Sequence, residues 1–180
     1  TTRRTPFAAS ITVLCLGFVA LADDKAENPF KNAKVGDFVV YKLTVKGQPS
    51  ATTSTQTVVA VTDKEVTVEI QTTADKKELP KVTTKFDLTK PFDPIEQAKV
   101  ANTTVQKVAT GSEKVKVGDK EYDCTWTKTK SVTKVMDKEF AVEAKIWVSK
   151  AIPLIGVVKD ETYSDFICST MELVEFGNKK

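Results

Sequence analysis

A mainly β domain is what this sequence predicts: a curved antiparallel sheet rolled part-way into a half-barrel, with one short helix. A β-sandwich is the alternative arrangement of the same strands. Apolar and β-branched residues alternate with polar ones in segment after segment, the period of a strand with one buried face. Clusters of Gly, Pro, Asp, Ser and Thr separate these segments at short intervals, so neighbours should pair antiparallel as meanders. A helix-start signature occurs once.

The opening residues stand apart from that pattern. Arg3 and Arg4 form a positive region, Ala8 to Ala22 is apolar, and Ala20-Leu21-Ala22 is a small-x-small cleavage site before Asp23-Asp24. Residues 1–22 therefore read as a signal peptide, which implies a secreted or periplasmic mature chain. The apolar stretch is short for a hydrocarbon core of about 30 Å, so no transmembrane segment is expected after cleavage near Ala22. Residues 23–35 are polar and read as an exposed N-terminal lead-in. Residues 36–177 then form a single antiparallel β domain, long enough to bury one core.

Within that domain, Phe38 to Val45 is the first strand, and Lys46-Gly47-Gln48-Pro49-Ser50 a turn cluster. The Thr/Ser run to Thr55 reads as loop and Thr57 to Val61 as strand. Asp63-Lys64 turns the chain into Val66, Val68 and Ile70, which alternate with Thr67, Glu69 and Gln71. Val82, Thr84, Phe86 and Leu88 continue the alternation. Asp93-Pro94-Ile95-Glu96 offers an N-cap, a proline at the first helical position and a glutamate three after the cap, which predicts a helix over about 94–101. Strands follow at Thr104–Ala109, from Val115 to Val117, at Glu121–Val132, at Glu139–Ser149 and at Tyr163–Phe176.

Composition excludes whole classes of function. The 180 residues contain no His, which removes His-based acid–base catalysis, Ser-His-Asp and Cys-His nucleophiles and most zinc sites. Arg3 and Arg4 leave with the signal, and the remaining basic charge is all lysine, nearly balanced by 24 acidic residues. A near-neutral chain without arginine is not a nucleic-acid binder. No calcium loop, phosphate loop or cofactor fingerprint occurs, so neither a metal nor a cofactor is expected.

Three motifs are weighed and set aside. Ser131-Val132-Thr133-Lys134 matches the S-x-x-K spacing of serine acyl-enzymes but sits at a strand end, without the helix start that aims both side chains into one pocket. Asp160 and Glu161 are strand neighbours that point to opposite faces and read as surface residues. Cys124 and Cys168 are an even pair in an exported chain, open to two readings: a disulfide, or two separate buried thiols.

The stretch Ile146–Glu161 poses the functional question. It is highly apolar, yet Pro153 and Gly156 break it, so Ile152, Leu154 and Ile155 sit on a connection and must still escape water. Burying each is worth about 1.5–3 kcal/mol. The loop should fold inward over the sheet, either as a plug completing the core or as a lid on an apolar cavity. Trp126 shares a face with Tyr122 and Cys124, whereas Trp147 falls on the face of Glu143 and Lys145, where a tryptophan needs a cover or a ligand. Trp126, Trp147, Ile152, Leu154 and Ile155 are thus the candidate ligand-binding residues.

"VGDFVVYKLT", "VGDKEYDCTW" and "IWVSKAIPLIGVVKDE" followed by "MELVEFG" resemble segments of a group of exported proteins of planctomycete-type bacteria. That group is similar in fold to the LolA/LolB-like half-barrels, in which a curved antiparallel sheet cups a lipid acyl chain. The resemblance implies an exported, non-catalytic domain that binds an apolar small molecule or lipid in the cell envelope. The alternatives are an envelope module with a filled core that binds a protein partner, and a hydrolase working without His. The arginine that holds the closed state in the lipoprotein carriers has no counterpart here, so the resemblance carries over no site residue.

Overall fold

The computed structural model describes residues 28–92, 103–135 and 138–179. These form ten strands: β1 (Asp37–Val45), β2 (Thr52–Val61), β3 (Glu65–Ala74), β4 (Lys77–Glu78), β5 (Val82–Asp87), β6 (Thr103–Val117), β7 (Lys120–Val135), β8 (Lys138–Val148), β9 (Val157–Ser164) and β10 (Cys168–Asn178). All belong to one curved antiparallel sheet, in the order β4-β3-β2-β1-β10-β9-β8-β7-β6, with β5 also on β3. A single sheet of this kind is a half-barrel and excludes the sandwich, which needs two packed sheets. The pairing of β1 with β10 joins the two meanders. The expected helix over 94–101 lies outside the described residues.

Three strand boundaries differ from the sequence reading, each for a visible reason. The Thr/Ser run expected to be loop is the first half of β2, because Thr52 to Gln56 pair with Leu43 to Val39 of β1 and β-branched Thr suits that ladder. Thr104–Ala109 and the strand from Val115 are one strand, bent by a bulge between Lys107 and Ala109. The expected strand Tyr163–Phe176 is cut into β9 and β10 by a tight turn. The Ser164 hydroxyl accepts the backbone N–H groups of Phe166 and Ile167 there, and Ser164 N donates to the Ile167 carbonyl.

Opposed residues of an antiparallel ladder share a face, so the registers define the two surfaces. One face carries the core: Val39, Tyr41, Val58, Val66, Val68, Ile70, Ile146, Val158 and Leu173 are buried on it. The Tyr41 hydroxyl donates to the Val157 carbonyl, tying β1 to the start of β9 across β10. Part of the expected exposed lead-in belongs to this core. Phe30 is 1% exposed and stacks on Phe86 at 4.0 Å between ring centroids, with Phe92 edge-on at 5.6 Å. Asn28 fixes that segment by donating to the carbonyls of Asp87 and Lys90.

Candidate functional site

The loop after β8 is shaped by its own sequence. Pro153 cannot join a ladder, Leu154 adopts φ +61° and Gly156 φ +75°. A Cβ on Gly156 would stand 2.6 Å from the Ser149 carbonyl oxygen, so only glycine lets the chain re-enter against Ser149, whose N–H bonds the Gly156 carbonyl. Ile152 and Leu154 are buried members of the core, and Ile155 packs against it half-buried. The loop is therefore a plug over its apolar length.

A cavity of about 630 Å³ opens beside its first residues. β8 ends at Val148, opposite Thr125, whereas β7 runs back to Lys120, so the sheet has a notch where β7 continues without its neighbour. Ser112, Glu121 to Thr125, Val148 and Ser149 to Ala151 line this half-open notch. Its floor is the ladder row Ser112–Thr125–Val148 on the core face, a row that continues to Val157 of β9. Cys124, opposite Glu113 and so on the other face from Thr125, is buried, and that burial, followed by the charges of Asp123 and Glu113, pushes its thiol up to about 11.

The tryptophans lie elsewhere. Trp126 and Trp147 are directly opposed, one residue out of phase with Thr125 and Val148, so they occupy the other face. Lys145 Nζ sits 4.3 Å from the Trp126 ring and 4.4 Å from the Trp147 ring, and Lys159 reaches the Trp147 ring at 5.5 Å. The Trp147 indole N–H donates to Glu113 Oε1, which also pairs with Lys145 at 2.8 Å. The Lys145 bond and then the indole bond hold the Glu113 carboxyl below its ordinary range. Trp147 is 6% exposed under these side chains. The cover on the polar face is thus a pair of lysine stems rather than a loop. Of the five candidate residues, the structure joins Ile152, Leu154 and Ile155 in the plug, places the two tryptophans together across the sheet, and puts none of the five in the notch wall.

Cys124 and Cys168 are free thiols. Cys168 opposes Tyr163, Tyr163 opposes Glu143 and Glu143 opposes Lys130. Cys168 is thus three strand spacings of about 4.8 Å away from β7, at the level of Lys130 rather than Cys124. Bridging requires Cα atoms within about 7 Å, so the disulfide reading is excluded. Ser131 and Lys134 stand on opposite faces of β7, and the Ser131 hydroxyl donates to the Val142 carbonyl, so the S-x-x-K match forms no dyad.

Asp160 is the residue that sequence reasoning misplaced. Expected at the surface, it is 3% exposed in the middle of β9. Oδ1 accepts from the Thr162 hydroxyl at 3.0 Å, and Oδ2 has no hydrogen-bond partner among the described residues. Burial raises its carboxyl to about 7, the Thr162 bond offsetting part of the rise. The available signal was the phase Val158-Asp160-Thr162, which sets Asp160 on the buried face. Among the described residues, no group of three or more metal-ligating side chains converges, and no helix is long and apolar enough to cross a membrane.

Comparison with known proteins bears on the fold. No family model matches the chain, and no curated protein matches it by sequence. A Bacteroides fragilis protein described as exported and as having a YmcC-like fold is similar in structure, with TM-score 0.53 and 12% identity over 81% of this chain and 97% of that one. Weaker likenesses are to a protein described as a lipoprotein from Parabacteroides distasonis (TM-score 0.49, 11% identity, 80% of this chain and 96% of that one) and to LprF from Mycobacterium bovis (TM-score 0.31, 10% identity, 86% and 91%).

Proposed function

We propose that this chain is an exported, non-catalytic β domain of the cell envelope that holds an apolar ligand, of the size of a lipid chain, in the notch between β7, the end of β8 and residues 149–151. The notch carries the reading. Its volume of about 630 Å³ lies within the range of roughly 300–1,000 Å³ of ligand sites, and Val148 and Ala151 supply apolar wall. Export rests on residues 1–22 read as a signal peptide and accords with the description of the Bacteroides fragilis protein. The resemblance to planctomycete-type exported proteins and to lipid-cupping half-barrels points the same way. A non-catalytic role fits a chain without His in which, among the described residues, the one carboxyl raised by burial, Asp160, has no second carboxyl in its ladder row.

The test is displacement of an environment-sensitive apolar dye, N-phenyl-1-naphthylamine, by fatty acids and fatty alcohols. Ala151 is an exposed wall residue, so Ala151→Trp should fill the notch without touching the core. Wild-type binding that this variant abolishes supports the proposal. Binding unchanged in the variant, or absent from both, refutes it.

A further inference from the structure

The row next to the notch floor is Thr127–Ile146–Asp160–Met171–Leu43, and the one after it is Thr129–Ala144–Thr162–Ser169–Val45. Both lie on the core face, and Thr127, Thr129, Asp160, Thr162 and Ser169 are all buried there. Buried polar groups are normally satisfied, and an ionisable one is normally paired. Among the described residues, Asp160 has neither a second hydrogen-bond donor nor a cation: Lys159 and its partners Glu161 and Glu172 occupy the other face, and Lys107, the nearest lysine in these rows, stands three strands away at the β6 edge. Val148, a wall of the notch, is the diagonal neighbour of Asp160, a spacing of about 7–8 Å.

We infer that Asp160 and its flanking hydroxyls form a polar subsite of the notch that receives the protonated amine of an amphipathic ligand whose apolar part lies against Val148 and Ala151. This rests on the notch being a ligand site. An ammonium group supplies both things the patch lacks, a donor for Oδ2 and a positive charge, while the threonine and serine hydroxyls accept its remaining protons. A fatty acid would set carboxylate against carboxylate, and a fatty alcohol would bring a donor without charge. An amine-bearing chain can come from a free alkylamine or from an ethanolamine lipid head group.

The experiment compares dodecylamine, dodecanol, dodecanoate and lysophosphatidylethanolamine as dye competitors, below their micelle concentrations and at pH 8.5, where carboxylate and ammonium are both charged. The proteins are the wild type, Asp160→Asn and Ala151→Trp. Asn keeps the shape and the Thr162 bond, so the variant should fold. The proposal predicts that wild type takes dodecylamine or the ethanolamine lipid about tenfold or more tightly than dodecanol, with dodecanoate weakest. It predicts that Asp160→Asn erases this preference, bringing the amine down to the affinity of dodecanol, which the variant still binds. Whichever amine binds tighter identifies the source. An amine preference that survives in Asp160→Asn would place it on Glu121 and Asp123 at the rim and overturn the subsite. Equal affinities in wild type, with dodecanol still lost in Ala151→Trp, would overturn the subsite and leave the notch standing. No binding of any chain would overturn both.

Discussion

Replacing Asp160 by Asn should stabilise the protein, and by an amount that depends on pH. The wild-type carboxyl titrates near 7 in the folded chain against 3.8 as its ordinary value, because burial penalises the charged form. Below pH 3.8 the group is neutral in both states and costs nothing. Between 3.8 and 7 the folded state holds a proton that the unfolded state has released, so stability falls as pH rises. Above 7 the full penalty is present, about 4 kcal/mol at 1.36 kcal/mol per pH unit. Relaxation and water entry reduce such figures, so a gain of roughly 2–4 kcal/mol is expected for Asp160→Asn at pH 8, and less than about 1 kcal/mol at pH 4. That is a large fraction of the 5–15 kcal/mol typical of a domain. Urea unfolding followed by tryptophan fluorescence from pH 4 to pH 8 measures it. A variant whose stability runs parallel to wild type across that range would refute the buried, unpaired carboxyl.

Other perturbations follow from the same geometry. A Cβ at Gly111 would stand 2.6 Å from Trp126 Cζ2, so Gly111→Ala should cost about 1–3 kcal/mol and shift the tryptophan emission, measured in one urea titration. Ile152→Ala removes a fully packed plug residue and should cost about 2–4 kcal/mol in thermal or chemical unfolding; a loss below 1 kcal/mol would mean the loop is not core. Lys145→Ala uncovers both indoles and should red-shift their emission while lowering stability by no more than about 1 kcal/mol. Alkylation of the unfolded mature chain without reductant should modify both Cys124 and Cys168 by intact mass; an unmodified pair would indicate a bridge.

The fold class was legible because it depends on local period and turn chemistry, both written in the chain. Where the reading missed, tertiary pairing overrode local signal. Thr52 to Gln56 looks like a loop until β1 is laid beside it. Ser164 looks like any strand residue until its hydroxyl caps the β9–β10 turn. The apolar loop was rightly seen to turn inward, since its composition and Pro153 leave no other place for it. The site was harder. Trp126 and Trp147 drew attention by hydrophobicity, but strand alternation sends them to the face where Lys145 covers them. The notch exists because β8 stops at Val148 while β7 runs on, a difference of strand length that no single segment encodes. Asp160 follows Val158 by two residues, so its phase was readable, yet its missing partner was not.

The most direct test of the notch as a ligand site is native mass spectrometry of the mature domain purified from the cells that produce it, beside Ala151→Trp, with solvent extraction of whatever travels with each. The account predicts a stoichiometric apolar adduct on wild type that is absent from the variant. A clean apo mass for both would contradict it.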